Sequence, residues 1–290
     1  MIGLRTLRAV AMTAATLGGL SGALVGLLNE QGRRARAAIG LLEHLWPAPD
    51  GVYLDDGTDP LRLAVLGDSM AVGVGVTHPS QMPGVLLAQA LAEEAERPVR
   101  LSTYAISGST TRDLVAQVDA AVLDAPRAAL IIIGANDVTS RLGVRESALL
   151  LGEQVRRLRA IGCGVVVGTC PDLGIVRPIP QPLRAIGHRY SLRLAAAQTE
   201  VVKRAGGLPV SLANLLAPEF MARHVDMFST DRFHPSAAGY EAAAGVLLAP
   251  LCQVAGLWPG WAVAPLPLRS AAALAVGPSR WPTWLQKRHA

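Results

Sequence analysis

The stretch Leu63–Met70 reads LAVLGDSM, in which a run of apolar residues leads directly into glycine, aspartate and serine. An uninterrupted apolar run is typical of a strand that is buried on both faces of a parallel sheet. In open α/β sheets, binding and catalytic sites form beyond the carboxyl ends of the strands. Ser69 is therefore either part of a turn or a nucleophile, and the rest of the sequence has to distinguish these two interpretations.

Short apolar segments alternate with longer helical patterns from Leu61 onward. The predicted strands are Leu61–Leu66, Val99–Tyr104, Ala128–Ile133, Gly164–Thr169 and Leu208–Val210. The predicted helices lie near residues 81–95, 112–122, 146–160, 188–205 and 236–254. Because alternating strands and helices form right-handed crossovers, we expect a three-layer α/β/α sandwich of flavodoxin-like type with a mainly parallel, five-stranded sheet.

Composition divides the chain into four parts. Residues 1–36 include Ala9–Leu28, a stretch of 20 residues without a charge, which is about the length that spans a bilayer as a helix. Residues 37–60 contain WPAPDG and DDGTDP and are predicted to form a linker. Residues 61–255 form the predicted globular domain, and residues 256–290 form a tail rich in proline and tryptophan.

The N-terminal apolar segment predicts an uncleaved membrane anchor. A cleavable signal peptide, for which the ARA sequence at Ala35–Ala37 would be the cleavage site, usually has a shorter apolar region of about 7–15 residues. A helix packed on the domain is the third interpretation. Arginines flank the segment on both sides and leave its orientation open. We expect a membrane-anchored or secreted protein whose globular domain lies outside the cytoplasm.

Charge and cysteine content exclude several classes of protein. The formal net charge is +5, but the basic excess lies in residues 1–36 and 257–290, so that residues 37–256 carry a net charge of −3. A nucleic-acid-binding domain would need clustered basic residues, and we therefore exclude nucleic acid as a partner. The three cysteines, Cys163, Cys170 and Cys252, have neither a disulfide framework nor a zinc-binding spacing. A Cys163–Cys170 bridge is conceivable, although buried free thiols are favoured.

Four short motifs follow predicted strands or lie in the last loop. GDS at residues 67–69 follows the first strand, and AISGSTT, which contains Gly108, follows the second. GAND, which contains Asn136, follows the third strand, and DRFHP places Asp231 and His234 just before the last helix. Because the carboxyl ends of parallel strands meet at one edge of the sheet, we expect these residues to lie close together.

Together the four motifs resemble those of the SGNH hydrolases, the GDSL-type esterases and lipases, over about residues 61–250. The resemblance implies that Ser69 is the nucleophile and that Asp231 and His234 complete a catalytic triad. A serine hydroxyl reacts only when a base takes its proton, and histidine has a suitable pKa of about 6.5. The aspartate would fix the tautomer of the imidazole ring and stabilise its protonated form.

The same resemblance implies an oxyanion hole formed by the backbone N–H groups of Ser69 and Gly108 and by the side chain of Asn136. The chain departs from the family pattern at two places. Met70 stands where the first motif has leucine, a position that packs rather than reacts. Residues 102–105 read STYA and lack the asparagine that usually opens the second motif. This departure bears on the geometry of the loop that contains Gly108.

Each of these residues also has a purely structural interpretation. Ser69 would cap a helix, and Gly108 and Asn136 would belong to turns. Asp231 would cap the last helix or pair with Arg232, and Asp226 would then be the catalytic acid.

We expect a serine esterase that hydrolyses carboxylic esters of short to medium acyl chains through an acyl-enzyme, without a metal or cofactor. Acyl transfer to a sugar or lipid of the cell envelope, and lipase activity, would use the same residues. A non-catalytic binding module on the same fold belongs to a different functional class. The expected partners are a small-molecule or lipid ester and a membrane bound through the N-terminal segment.

Overall fold

The computed structural model describes residues 23–39 and 46–258. The strands are β1 (Gly51–Tyr53), β2 (Leu61–Gly67), β3 (Val99–Thr103), β4 (Ala128–Ile132), β5 (Gly164–Gly168) and β6 (Leu208–Val210). The helices are α1 (residues 23–39), α2 (Ser69–Val72), α3 (Pro83–Ala95), α4 (Leu114–Leu123), α5 (Ala135–Thr139), α6 (Val144–Ala160), α7 (Leu183–Arg204), α8 (Leu212–Ala222), α9 (His224–Met227) and α10 (Ala237–Ala255). Short 3₁₀ turns span Pro79–Gln81 and Leu173–Ile175.

The described strands form one sheet in the order β1-β3-β2-β4-β5-β6. All neighbouring pairs are parallel except β1 and β3. The prediction of a mainly parallel α/β sheet is therefore confirmed, and strands β2 to β6 match the predicted segments to within one residue. The apolar runs of β2, β4 and β5 made these strands recognisable, because both of their faces are covered.

The prediction of five strands is wrong, because the sheet has a sixth strand within residues 37–60, the predicted linker. Strand β1 pairs Val52 with Arg100 in the antiparallel sense, and the Asp50 carboxylate accepts a hydrogen bond from the Thr103 N–H at 2.9 Å. Its three residues directly follow the sequence WPAPD and produce no recognisable period. Its pairing depends on the otherwise open edge of β3, which the local sequence does not reveal.

Side chains alternate between two cores on the two faces of the sheet. Leu63, Val65 and Leu130 point to the face that is covered by α3, α8 and α10. Ala64, Leu66 and Ile131 point to the opposite face, under α4, α6 and α7. Among the described residues, α10 is long and apolar enough to span a membrane, but half of it is buried and it packs as a core helix.

Part of the chain outside the predicted elements is also ordered around the sheet. Helices α8 and α9 occupy the stretch between β6 and the last helix, for which no element was predicted.

Cys163, Cys170 and Cys252 are buried free thiols, so the conceivable Cys163–Cys170 bridge is absent. Residues 1–22 of the predicted membrane segment and residues 259–290 of the tail lie outside the described residues. The four-part division of the chain stays a prediction.

Helix α1 packs against the segment that follows β5. Ala35 is buried in a small apolar cluster with Leu173 and Val176. The buried side chain of Gln31 accepts a hydrogen bond from the Leu183 N–H at 3.0 Å and donates one to the Gln181 carbonyl at 2.5 Å. The described part of the N-terminal segment is thus attached to the globular domain.

Candidate active site

Ser69 lies on a sharp turn between β2 and α2. Asp68 caps the short helix, because its Oδ1 atom accepts a hydrogen bond from the Met70 N–H at 3.0 Å. Gly67 has a φ of 133°, and a Cβ atom at this position would lie 1.9 Å from the Ile132 carbonyl oxygen. Only glycine can therefore bring β2 this close to β4 and still turn the chain. The turn presents the Ser69 side chain at the carboxyl edge of the sheet.

His234 connects Ser69 to Asp231. Its Nε2 atom lies 2.9 Å from Ser69 Oγ, and its Nδ1 atom lies 2.6 Å from Asp231 Oδ2. Because a carboxylate can only accept hydrogen bonds, Nδ1 carries the proton and Nε2 is free to accept the proton of the serine hydroxyl. The three residues therefore have the geometry of a nucleophile, a base and the group that orients the base.

Asp231 is held in a fixed orientation by the loop that precedes α10. Its Oδ1 atom accepts hydrogen bonds from Ser229 Oγ at 2.7 Å, the Phe233 N–H at 2.8 Å and the His234 N–H at 2.9 Å. Burial raises the pKa of Asp231, but the hydrogen bonds from His234, Ser229 and Phe233 outweigh it and lower the pKa to about 2. The carboxylate is thus ionised at neutral pH.

The alternative roles of this acidic residue do not fit the structure. Helix α10 is capped by Ser236, whose hydroxyl accepts a hydrogen bond from the Gly239 N–H at 3.3 Å. Asp226, the other candidate acid, has an exposed side chain that pairs with Arg223 at 3.4 Å between Oδ2 and Nε. Asp231 is the carboxylate that contacts His234.

Gly108 and Asn136, two of the three predicted oxyanion-hole residues, lie on segments that contact each other. Asn136 begins the first turn of α5, and its Nδ2 atom donates a hydrogen bond to the Ser109 carbonyl at 3.0 Å. The Gly108 loop is joined to the end of β2 by a hydrogen bond from the Ile106 N–H to the Gly67 carbonyl at 3.1 Å. Gly108 has a φ of 86°, and a Cβ atom there would have no neighbour within 4 Å. The conformation, rather than lack of space, requires glycine at this position.

Asp137 anchors these two loops from behind. Its Oδ1 atom accepts a hydrogen bond from the Thr111 N–H at 2.8 Å, and its Oδ2 atom accepts one from Ser147 Oγ at 2.6 Å and one from the Thr111 hydroxyl. The side chain is fully buried. The residue after Asn136 thus connects α5 to the Gly108 loop and to α6.

Asp68 is a second buried carboxylate beneath Ser69. It is 1 % exposed, and burial raises its pKa to about 7, although the Met70 N–H and the charge of His234 lower it. Its Oδ2 atom makes no hydrogen bond with the described residues. As the cap of α2, Asp68 has a structural role in the turn that carries Ser69.

A cavity of about 560 Å³, partly open to solvent, lies beside Ser69 and His234. Its walls are mostly apolar and come from the segment after β5, from α8 and from the residues before α10, namely Leu173, Ile175, Val176, Leu212, Leu216, Phe220, Phe228 and Phe233. The Asp172 carboxylate also lines it and contacts His188 Nδ1 at 2.7 Å. The mostly apolar walls are suited to an apolar group of a substrate.

Sequence reasoning missed two buried glutamines, Gln117 on α4 and Gln198 on α7. Gln117 contacts the backbone at the end of β2, and Gln198 contacts the backbone just after β5. The available signal is a lone uncharged polar residue on the buried face of a helix, because such a residue has to satisfy its hydrogen bonds inside the protein.

With this geometry established, the chain can be compared with known proteins. Residues 65–242, more than half of the chain, match the model of the GDSL-like Lipase/Acylhydrolase family. The chain belongs to this family. The SGNH resemblance seen in the four motifs is therefore confirmed. The match runs from within β2 to the first turns of α10 and includes all five predicted site residues.

This GDSL-like chain is 46% identical over 258 residues to the GDSL-like esterase Rv1075c of Mycobacterium tuberculosis, covering 85% of this chain and 81% of the relative. Its fold is similar to that of LAE5, an α/β hydrolase enzyme from the metagenome of Lake Arreo, with a TM-score of 0.55 and 24% identity over 67% of this chain and 95% of the other. The esterase EstA of Pseudoalteromonas sp. has a TM-score of 0.54 and 19% identity over 67% and 97% of the two chains.

Proposed function

We propose that this GDSL-family protein hydrolyses carboxylic esters of short to medium acyl chains through a covalent acyl-enzyme on Ser69. The observation that carries the proposal is the hydrogen-bonded series Ser69–His234–Asp231, with distances of 2.9 Å and 2.6 Å, at the mouth of an apolar cavity. The relative that is named a GDSL-like esterase supports the same reaction class. A complete triad also disfavours a non-catalytic binding module.

The reaction proceeds in two steps. Ser69 Oγ attacks the acyl carbon while His234 Nε2 takes the hydroxyl proton, and the negative charge moves to the carbonyl oxygen. The N–H groups of Ser69 and Gly108 and the Asn136 amide stabilise this oxyanion. The intermediate then expels the alcohol, which takes the proton from His234, and leaves an ester on Ser69. Water, deprotonated by His234, attacks that ester and releases the acid and the free serine.

The cavity supports an apolar acyl group of limited length. Phe220, Phe228 and Leu216 line it and offer contacts to the methylene groups of an acyl chain. Asp172 lies on the wall and disfavours a carboxylate or phosphate at that point. We therefore expect the specificity constant to be highest for acyl chains between acetate and octanoate.

The experiment is hydrolysis of p-nitrophenyl esters from acetate to palmitate by the full chain, compared with Ser69→Ala. We expect the variant to lose at least about 10³-fold in kcat, because the nucleophile is absent. Ser140→Ala, which changes an exposed serine at the end of α5, is the matched control and keeps wild-type activity. Retained activity in Ser69→Ala would refute the assignment.

The same assay separates the neighbouring activities. A maximum at long chains identifies a lipase with the same residues. Turnover that requires added glycerol or sugar identifies an acyltransferase, in which the acyl group on Ser69 moves to a hydroxyl faster than to water. Either result would show that hydrolysis of short and medium esters is not the main reaction.

We further propose that the apolar N-terminal segment attaches the protein to a membrane. Support comes from the uncharged residues 9–28 and from the half-exposed side chains of Leu24, Val25 and Leu27 on α1. Membranes from expressing cells are washed at alkaline pH, and we expect the wild-type chain to stay in the pellet. Leu17→Arg combined with Leu20→Arg moves it to the supernatant, because each arginine costs about 3 kcal/mol in a bilayer.

The control for this experiment is Leu123→Arg, which changes a leucine that is 85 % exposed on α4. This variant is expected to remain with the membranes. A wild-type chain recovered entirely in the soluble fraction would contradict membrane attachment and would leave the ester-hydrolase proposal unaffected.

A further inference from the structure

The site forms where the hydrogen bonding between strands stops. The last residue pair between β2 and β3 is Val65 with Thr103, so the backbone of Gly67 lies beyond this ladder. The last pair between β4 and β5 is Ile132 with Gly168. Buried backbone N–H and carbonyl groups beyond these points need other partners, because leaving them unpaired costs free energy.

Gln117 provides the partners at the end of β2. Its Oε1 atom accepts a hydrogen bond from the Gly67 N–H at 2.7 Å, and its Nε2 atom donates one to the Gly67 carbonyl at 3.0 Å. The same Nε2 atom donates to Ser109 Oγ at 3.2 Å. The orientation of the carboxamide is fixed, because a backbone N–H can only donate. Gln117 therefore connects the residue two positions before Ser69 with the residue after Gly108.

Gln198 does the same at the ends of β4 and β5. Its Oε1 atom accepts a hydrogen bond from the Cys170 N–H at 2.7 Å, and its Nε2 atom donates one to the Ile133 carbonyl at 3.1 Å. Ile133 precedes the turn that carries Asn136, and Cys170 precedes the cavity wall. Gln117 and Gln198 are 3 % and 0 % exposed and come from helices on the same face of the sheet.

We propose that Gln117 and Gln198 are positioning residues that fix the distance between the nucleophile and the oxyanion-hole donors. Gln198 bridges the ends of β4 and β5 beyond their last ladder pair. Gln117 joins the end of β2 to Ser109, in addition to the backbone hydrogen bond from Ile106 to Gly67. Together they attach the Ser69 turn to the Gly108 loop, and the Asn136 turn to the cavity wall. The Gly108 loop lacks the asparagine that usually opens its motif, and Gln117 holds it here. The inference rests on the proposed function, because positioning is measured through turnover.

The test replaces each glutamine by methionine, which keeps the length of the side chain and removes its hydrogen bonds. Gln154→Met is the matched control, because Gln154 on α6 is also 3 % exposed but contacts the Arg157 side chain at 2.8 Å instead of a strand end. For each variant we measure the fraction folded, the Tm, kcat and KM with p-nitrophenyl acetate, and the second-order rate of phosphonylation by a small fluorophosphonate.

We expect kcat per folded molecule to fall about 10- to 100-fold in Gln117→Met and in Gln198→Met, with KM changed less than about threefold, because displacement of the donors weakens oxyanion stabilisation. Phosphonylation slows in parallel. Gln154→Met lowers the Tm by a similar amount and keeps kcat. Values of kcat that match Gln154→Met, or a loss that appears in KM, would overturn the inference.

Ser109→Ala keeps the inference testable if a methionine variant does not fold. It removes one acceptor of Gln117 and leaves both Gly67 hydrogen bonds in place. We expect about a threefold lower kcat with an unchanged Tm, and an unchanged kcat counts against Gln117. If the wild type is active and the glutamine variants keep its kcat, only the positioning role is refuted. Turnover that survives in Ser69→Ala refutes the proposed function itself.

Discussion

Ser69 and His234 are 165 residues apart in the chain and 2.9 Å apart in the structure. The imidazole ring is held on both sides, by the Asp231 carboxylate and by the edge-to-face contact with Phe233 at 4.8 Å between ring centroids. When His234 takes the serine proton, the positive charge forms beside a carboxylate whose pKa is about 2. Asp231 thus remains charged and stabilises the imidazolium throughout turnover.

The first prediction concerns this carboxylate. Asp231→Asn keeps an oxygen acceptor for the loop but removes the charge and favours the wrong tautomer of His234. We expect kcat to fall about 10³- to 10⁴-fold, in line with the loss known for the aspartate of serine-protease triads. Hydrolysis of p-nitrophenyl acetate measures it. The control is Asp226→Asn, which changes an exposed carboxylate five residues away and should retain wild-type kcat. Equal losses in both variants would contradict the assignment of Asp231.

At the scale of elements, the site is built from turns that follow strands, and two of these turns need glycine for different reasons. Gly67 has no room for a Cβ atom, because the Ile132 carbonyl oxygen would be 1.9 Å away. Gly108 has room but adopts a φ of 86°, which costs other residues about 1–2 kcal/mol. The first glycine supports the packing of two strands, and the second supports the shape of a loop.

Replacement of each glycine by alanine should therefore have different consequences. Gly67→Ala is expected to prevent folding, as judged by loss of the cooperative urea transition. Gly108→Ala is expected to lower the free energy of unfolding by about 1–2 kcal/mol and kcat by roughly 10- to 100-fold. Gly162→Ala is the control, because Gly162 has a φ of 80° with open space around it and lies before β5. Gly162→Ala should lose as much stability as Gly108→Ala but keep the wild-type kcat. If both variants lost the same factor in kcat, a specific role for Gly108 would be contradicted.

The predictable part of the fold consists of elements with strong local signals. Strands β2, β4 and β5 were predictable because their apolar runs reflect burial on both faces. Strand β1 was not, since its three residues become a strand only by pairing with β3. The triad residues carry recognisable motifs. Gln117 and Gln198 carry none, because their role depends on which strand ends the tertiary fold leaves unpaired.

At the scale of the whole molecule, two of the buried carboxylates of the site, Asp68 and Asp231, affect stability in opposite directions. The pKa of Asp68 is raised from 3.8 to about 7, so the folded protein binds more protons than the unfolded chain between these values. Stability therefore decreases as the pH rises from about 4 to 7. The pKa of Asp231 is lowered from 3.8 to about 2, so its contribution is present above pH 4 and is lost as the pH falls toward 2.

Asp68→Asn should remove the first of these effects. The asparagine oxygen can still cap α2, and no charge has to be buried at neutral pH. We expect the variant to gain stability relative to the wild type as the pH rises from 5 to 8. The gain in the free energy of unfolding is on the order of 2–4 kcal/mol, and it raises the Tm of the variant above that of the wild type. Thermal unfolding at several pH values measures it. A difference that is independent of pH would contradict the raised pKa, and Asp226→Asn serves as the control with wild-type pH dependence.

Helix α1 has a consequence for how substrate preference is distributed along the chain. Ala35 packs against Leu173 and Val176, which also form the wall of the acyl cavity, yet α1 lies upstream of the family region that begins at residue 65. The outer layer of the cavity thus comes from a part of the sequence that the catalytic motifs do not constrain. We expect relatives with identical residues 65–242 and different N-terminal helices to differ in acyl preference, because a changed helix repacks Leu173 and Val176 from behind.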